Sequence, residues 1–312
     1  MSSTPSRFWA KVDQALPSAE EIDRNVYQAV AFGFPLLTLV IITGAVWAQY
    51  VWQRWWSWDP KETASLVTWL VYGAYLHGRR QRNWSPRTSA TFALLGFIAV
   101  LFTFAGVNLL NSMHAYGAPE ASASGRILGG FTGVAAPEVG VTTGFFIAYL
   151  LAFLAALASV VGFGKGASRL AVGLAVAAVL GNTVVLGMRT IDAGRLTFTT
   201  GYDFSLWFVW GIALCATIVA VVRRGEALPL LGALPLALLV AMYGYLYFPQ
   251  KDHTPLMPAL QNKFWLHMHV AIAIIAYGAL ALAAGWGLCF QLKALATRRA
   301  SPPEPETEPE TD

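Results

Sequence analysis

Long apolar runs alternate with short polar connections along most of this chain. Eight apolar windows stand out, near residues 29–48, 62–78, 89–110, 141–162, 169–188, 203–222, 228–248 and 266–291. Each approaches or exceeds the roughly 17–25 residues that a helix needs to cross about 30 Å of hydrocarbon, the window 62–78 being the shortest. In lipid every backbone polar group needs an internal partner, and a helix supplies one within its own segment. The pattern therefore predicts an all-alpha polytopic membrane protein with about eight transmembrane helices.

The connections give these helices a direction. His77, Arg79, Arg80, Arg82 and Arg87 form the strongest basic loop, and Lys165 with Arg169, Arg223 with Arg224, and Lys293 with Arg298 and Arg299 follow at every second connection. The positive-inside rule places these four loops and both termini in the cytoplasm. Loops 49–61, 111–140, 189–202 and 249–265 then face the opposite side, although Arg54, Lys61, Arg126, Arg189, Arg195, Lys251 and Lys263 fall there against the trend. The first 28 residues are polar and of mixed charge, without the apolar core of a cleavable signal sequence. The tail SPPEPETEPETD is acidic and proline-rich, a composition expected to be disordered.

Composition excludes the soluble alternative. Only 12% of the 312 residues are charged and 56% are hydrophobic, whereas soluble domains carry about 25% charged residues. The 21 Lys and Arg exceed the 17 Asp and Glu by four. In a membrane chain that excess reports topology, and no nucleic-acid partner is implied. Cys215 and Cys289 both fall inside expected spans without a CxxC pair, which points to packing and not to redox or metal chemistry.

One polar connection carries chemistry. The stretch QYVWQRWWSWDPKE at 49–62 holds four of the chain's 12 tryptophans. Tryptophan is enriched at membrane interfaces, so the cluster can be an anchor. It can equally be the floor for a large flat ligand, with Trp52, Trp55, Trp56 and Trp58 as apolar surface and Arg54 and Lys61 as cations. If the segment is helical up to Pro60, Trp55 and Trp58 share a face. Pro60 suits the first turn of a following helix, Asp59 its N-cap, and Glu62 lies near enough to accept from exposed amides or to pair with Lys61.

The five histidines are His77, His114, His253, His267 and His269. His114, after the third window, and His269, at the start of the eighth, both fall on the tryptophan side. Two imidazoles on opposite faces of an iron porphyrin give a six-coordinate site. His77 ends the second window on the other side. It can hydrogen-bond a neighbouring helix or ligate a cofactor, and a bis-histidine site there needs a ligand from another chain.

Residues 33–80, from GFPLLTLVIITGAVWAQ through WWSWDPKE to TWLVYGAYLHGRR, closely resemble the tryptophan-rich signature of the CcsA family, also called ResC, of System II cytochrome c biogenesis. GVNLLNSMHAYG at 106–117 and LMPALQNKFWLHMHVAIAIIAY at 256–277 resemble the segments carrying that family's external haem-ligating histidines. LTFTTGYDFSLWFVW at 196–210 resembles a further family stretch, with Gly201 and Asp203 in place of the usual residues. The resemblance implies that His114 and His269 are axial ligands of haem b, with Trp52, Trp55, Trp56, Trp58, Asp59, Lys61 and Glu62 cradling it. His269 is preferred over His267 because the family's ligand directly precedes the position of Val270. The resemblance also implies that His77 ligates haem in transit, its companion supplied by the membrane subunit CcsB (ResB). The further partners implied are apocytochrome c and thiol-reducing thioredoxin-like proteins, in a bacterial cytoplasmic (inner) membrane.

The order of segments departs from that family, which has the FWLxxHV segment before the tryptophan signature. The chain therefore reads as circularly permuted. A linker remnant at 1–28 is followed by a three-helix part at 29–116, an external connection at 117–140, a five-helix part at 141–292 and the tail 293–312. Such a change conserves the sidedness of every helix. The implied activity is haem export and presentation for covalent attachment to apocytochrome CxxCH thiols, with CcsB, as part of a haem lyase. A haem exporter or chaperone without synthetase activity is the alternative. A membrane electron-transfer subunit would instead pair histidines within its helices.

Overall fold

The fold is built from helices alone among the residues that a computed structural model describes, namely 7–82, 84–105, 136–198, 200–247 and 263–300. In chain order they are α1 (Arg7–Ala15), α2 (Ala19–Trp52), α3 (Pro60–Gln81), α4 (Pro86–Phe104), α5 (Ala136–Ala158), α6 (Gly164–Ala193), α7 (Gly201–Val222), α8 (Leu228–Tyr247) and α9 (Lys263–Ala300). All eight expected windows fall on α2–α9, the third and seventh running past α4 and α8 beyond the described residues and the fourth running past α5 into the turn that follows it. The short helix α1 has no counterpart among them. Six helical stretches among the described residues are long and apolar enough to cross a membrane. One of these, Pro137–Ala193, is 57 residues long and folds back on itself at a π-helical turn, Ser159–Phe163, so that α6 packs along α5. Gly162 and Gly164 make that reversal, at φ +135° and +62°, where other residues are strained.

Helix ends follow the sequence signals. Ser18 and Ser85 cap α2 and α4 by accepting from the Glu21 and Thr88 amides, and Pro86 occupies the first turn of α4. The last helix is the centre of the bundle, packing against α1, α2, α4, α7 and α8. Residues Ala279 to Ala284 and Trp286 are all buried, because small side chains let neighbours approach on every face. A Cβ on Gly232 of α8 would lie only 2.3 Å from the Gly285 carbonyl oxygen, so the α8–α9 crossing requires glycine there. Outward, Leu39, Ile42, Leu70, Ile98, Leu180 and Leu239 stand exposed. An apolar belt of this kind suits a multi-pass membrane protein and not a soluble one.

The helices alternate in direction, so the basic connections share one end. There Arg79 pairs with Asp23 at 2.6 Å, Arg223 donates to Asn25 Oδ1, Ser168 donates to the Gly225 carbonyl, and Lys293 pairs with Asp13 at 3.2 Å. The last contact seats α1 on the end of α9. At the opposite end lies the tryptophan-rich connection. Arg189, one of the cations that broke the charge bias, is neutralised there inside the protein. It is 2% exposed and sits 2.6 Å from Glu138 and 2.7 Å from Asp203.

Candidate functional site

The tryptophan-rich connection is not the helix considered from its sequence. α2 ends at Trp52, and Gln53 and Trp58 take left-handed backbone angles, φ +58° and +59°. Residues 53–59 therefore form a turn, and Trp55 and Trp58 share no helical face. Such angles are unusual for side chains of this size and persist only where the surroundings hold them.

The holding group is Glu62. Its carboxylate accepts from the Ser57 amide at 2.8 Å, the Asp59 amide at 3.2 Å and the Ser57 hydroxyl. Asp59, buried, accepts in turn from the Lys61 amide at 3.0 Å. The two carboxylates form a reciprocal capping box at the start of α3, with Pro60 at its first position. The expected N-cap is present, and Glu62 accepts from amides as one of its two expected roles required.

A cleft opens beside this turn, between α2, α3, α4, α7 and α9. It encloses about 1130 Å³ free of atoms, its open mouth included. Trp47, Trp55, Trp56, Lys61, Glu62 and His269 all line it, with Phe204, Trp207, Phe208 and Tyr277 as further walls. Trp47 is buried, and its ring stacks on the His269 imidazole with centroids 6.2 Å apart and planes 18° from parallel. Trp52 packs edge-on against Trp47, behind the cleft wall. Trp58 is 69% exposed, edge-on to Trp56.

His269 is held in a defined orientation. Its Nδ1 lies 3.1 Å from the Val40 carbonyl oxygen and 3.4 Å from Thr43 Oγ1. A carbonyl can only accept, so Nδ1 carries the proton and the lone pair falls on Nε2. Gly44 makes room for the ring, since a Cβ there would sit 3.0 Å from His269 Cε1. His267, two residues earlier, packs its ring on Phe198 at 5.8 Å and does not line the cleft.

The remaining sequence-derived residues fall elsewhere. His77 is exposed on α3 near the basic end, on the face that carries Val67 and Leu70. His114 lies outside the described residues, as do His253 and residues 117–135 of the connection 117–140. Arg54 is exposed and does not line the cleft. Cys289 is buried and Cys215 half-buried, both free thiols as packing required.

Several cleft residues carried no warning in the sequence. Gly44 and Val40 look like ordinary members of an apolar run, and only the α2–α9 contact gives them a role. Phe204 and Trp207 lie in the segment 196–210, whose family likeness was the one available sign. Asp203 in that segment closes a capping box with Thr200 at the start of α7 and pairs with Arg189.

These features define a multi-pass membrane protein with an aromatic cleft and one oriented imidazole at one end of the bundle. Residues 2–114, which contain α2, α3, α4 and the tryptophan turn, match the family of cytochrome C assembly proteins. The resemblance to CcsA thus stands for that third of the chain. Proteins named cytochrome c biogenesis protein CcsA from Gloeobacter violaceus and Microcystis aeruginosa are 51% identical to it over 100 and 105 residues. One of that name from Prochlorococcus marinus is 44% identical over 111 residues. The matches cover 32%, 33% and 34% of this chain and 30%, 32% and 35% of those proteins. The chain thus spans about a third of the length of the relatives it matches. No solved structure matches it significantly.

Proposed function

We propose that this protein handles haem for cytochrome c maturation, presenting it at the tryptophan end of the bundle for attachment to apocytochrome CxxCH thiols. One observation carries the reading. His269, 207 residues beyond Glu62 in the chain, opens into the same cleft as Trp55, Trp56 and Lys61, in a chain whose first third is that of a cytochrome c assembly protein.

The residues fit a porphyrin. The cleft is mainly aromatic and aliphatic, the imidazole has its Nδ1 proton directed to a backbone carbonyl, and Lys61 in the lining offers a cation for a propionate. In this reading His269 and His114 are the two axial ligands of haem b. Trp55 and Trp56 contact the ring plane, and Asp59 and Glu62 act through the backbone by fixing the turn that carries the indoles. Trp52 supports Trp47, and Trp58 faces outward, where an incoming apocytochrome would meet it.

His77 is the transit ligand of the same reading. Its exposure on the outer face of α3 suits a companion imidazole from a second membrane chain, CcsB. The bundle sits in a bacterial inner membrane with its basic end in the cytoplasm, and thiol-reducing thioredoxin-like proteins keep the acceptor cysteines ready. The permuted segment order belongs to this reading. α9 runs along α2, and Asp13 touches Lys293 and Thr297, so a chain break between these two ends would leave the packing intact. The attachment itself asks for positioning of ring and thiol, which the fixed imidazole and indoles supply.

The test is haem content and visible spectra of purified variants. His269→Ala is expected to lose most haem at the tryptophan end, His114→Ala likewise, and His267→Ala to retain it. Equal haem content and unchanged spectra in all three would overturn the reading. Reconstitution with CcsB and apocytochrome then separates a synthetase from an exporter or chaperone.

A further inference from the structure

A second groove opens near the basic end of the bundle, between α2, α7 and α9, about 890 Å³ free of atoms. It is independent of the tryptophan cleft and of His77. Its walls are Phe32, Ile218, Ile275 and Leu282, and its floor is Ala29 and Ala279. Phe32, Ile218 and Ile275 are about half exposed, at 57%, 52% and 46%. The groove therefore opens sideways, to the surface where lipid chains lie.

Its polar end carries an unusual arrangement. Arg223 lies over the Trp286 ring at 5.3 Å and donates to Asn25 Oδ1 at 2.5 Å. That bond fixes the Asn25 amide, because only its oxygen can accept from a guanidinium. Asn25 Nδ2 is then left buried with no acceptor among the described residues, in a residue that is 3% exposed. A buried donor without a partner is rare and calls for an acceptor from outside. Two carboxylates, Glu21 and Glu226, stand 3.9 Å from Arg223 Nη1 and are substantially exposed. The groove thus offers donors for an anion and, immediately outside them, two anions for a cation.

We propose that this groove holds one ethanolamine phospholipid. Its phosphodiester accepts from Asn25 Nδ2 and Arg223, its ammonium lies between Glu21 and Glu226, and one acyl chain runs along Phe32, Ile218 and Ile275. Guanidinium groups recognise phosphate oxygens through directed, charge-assisted bonds. From Ile275 to Trp286 the α9 wall is roughly 16 Å long at 1.5 Å per residue, enough for much of an acyl chain. A partner helix suits the site less well, since its backbone acceptors are already used and Asn25 Nδ2 would stay unsatisfied. A purely anionic lipid would place no cation beside the two carboxylates.

The test uses the full chain in nanodiscs of equal parts ethanolamine, glycerol and choline phospholipids, followed by native mass spectrometry of the lipid retained. The wild type is expected to keep one ethanolamine phospholipid in preference to the other two. Arg223→Gln is expected to weaken retention about tenfold. Ile218→Trp, on the exposed rim where it does not disturb the core, fills the chain path and should weaken it similarly. Glu21→Gln with Glu226→Gln should move the preference toward the glycerol lipid. No lipid retained by the wild type, retention unchanged in Arg223→Gln and Ile218→Trp, or a wild-type preference for the glycerol or choline lipid would each overturn the assignment. Haem spectra of the same variants should be those of the wild type, so failure here is separable from failure of the haem reading.

Discussion

His269 Nδ1 lies 3.1 Å from the Val40 carbonyl oxygen, which joins the first long helix to the last across 229 residues. That bond sets the tautomer of the one described imidazole in the cleft. Gly44 stands one helical turn beyond Val40, on the same face, under the ring. Gly44→Val is expected to push the imidazole away from its carbonyl while leaving the bundle folded. Haem retained on purification should fall toward the level of His269→Ala, with unchanged thermal stability in haem-free samples. Full haem content with a wild-type spectrum would remove the α2 backbone from the account.

Asp59 serves α3 by accepting from amides, and its charge is a separate property. Asp59→Ala loses the cap and should cost about 1 kcal/mol. Asparagine caps nearly as well as aspartate, so Asp59→Asn should keep both stability and haem. Loss of haem in Asp59→Asn with unchanged melting would show that the charge itself is needed. Glu62→Ala has the larger expected effect on the turn, because the Ser57 and Asp59 amides lose a common acceptor. Faster hydrogen exchange at those two amides is the measurement.

Arg189 is held between Glu138 and Asp203 with almost no exposure. Arg189→Met would leave two carboxylates buried without their cation, a loss of about 3–5 kcal/mol. Adding Glu138→Gln and Asp203→Asn to that variant should recover most of the loss, because the uncompensated charges disappear. Melting temperatures of the single and triple variants in one detergent decide this. A single variant as stable as wild type would mean that the carboxylates find other partners.

The seat of α1 on α9 should be sensitive to acid. The hydrogen bond from Thr297 holds the Asp13 carboxyl below its ordinary value of 3.8, with help from Lys293 and against partial burial. A carboxyl lowered in the folded state stabilises it above the ordinary value, and that contribution is lost as pH falls through the folded value. Proteolysis at the α1–α2 junction, residues 16–18, should therefore accelerate below about pH 4. Asp13→Asn should cleave at a rate that pH in this range no longer changes. An acid-induced acceleration equal to that of wild type would assign the sensitivity to another group.

Much of the fold was legible from periodicity alone. All eight apolar windows coincide with long helices in register with the basic connections, because a membrane helix must satisfy its backbone internally whatever its neighbours are. The cap at Asp59 was equally local. The amphipathic helix α1 was missed because hydropathy windows tuned to spans pass over nine residues. The helical reading of 53–58 also failed. Glu62 pulls the Ser57 and Asp59 amides onto one carboxylate, a contact that overrides local helical preference.

The sequence by itself determined helices, their alternation, and a segment of assembly-protein character with its tryptophans gathered before Pro60. Those follow from interactions within a few residues and from the cost of polar backbone in lipid. Only the tertiary structure decided that Val40 and Gly44 orient His269, and that Arg189 spends its charge inside the protein. Each is a contact between different helices, the histidine's set by how α9 packs at the centre and the arginine's by how α6 meets α5 and α7, and no local pattern encodes either.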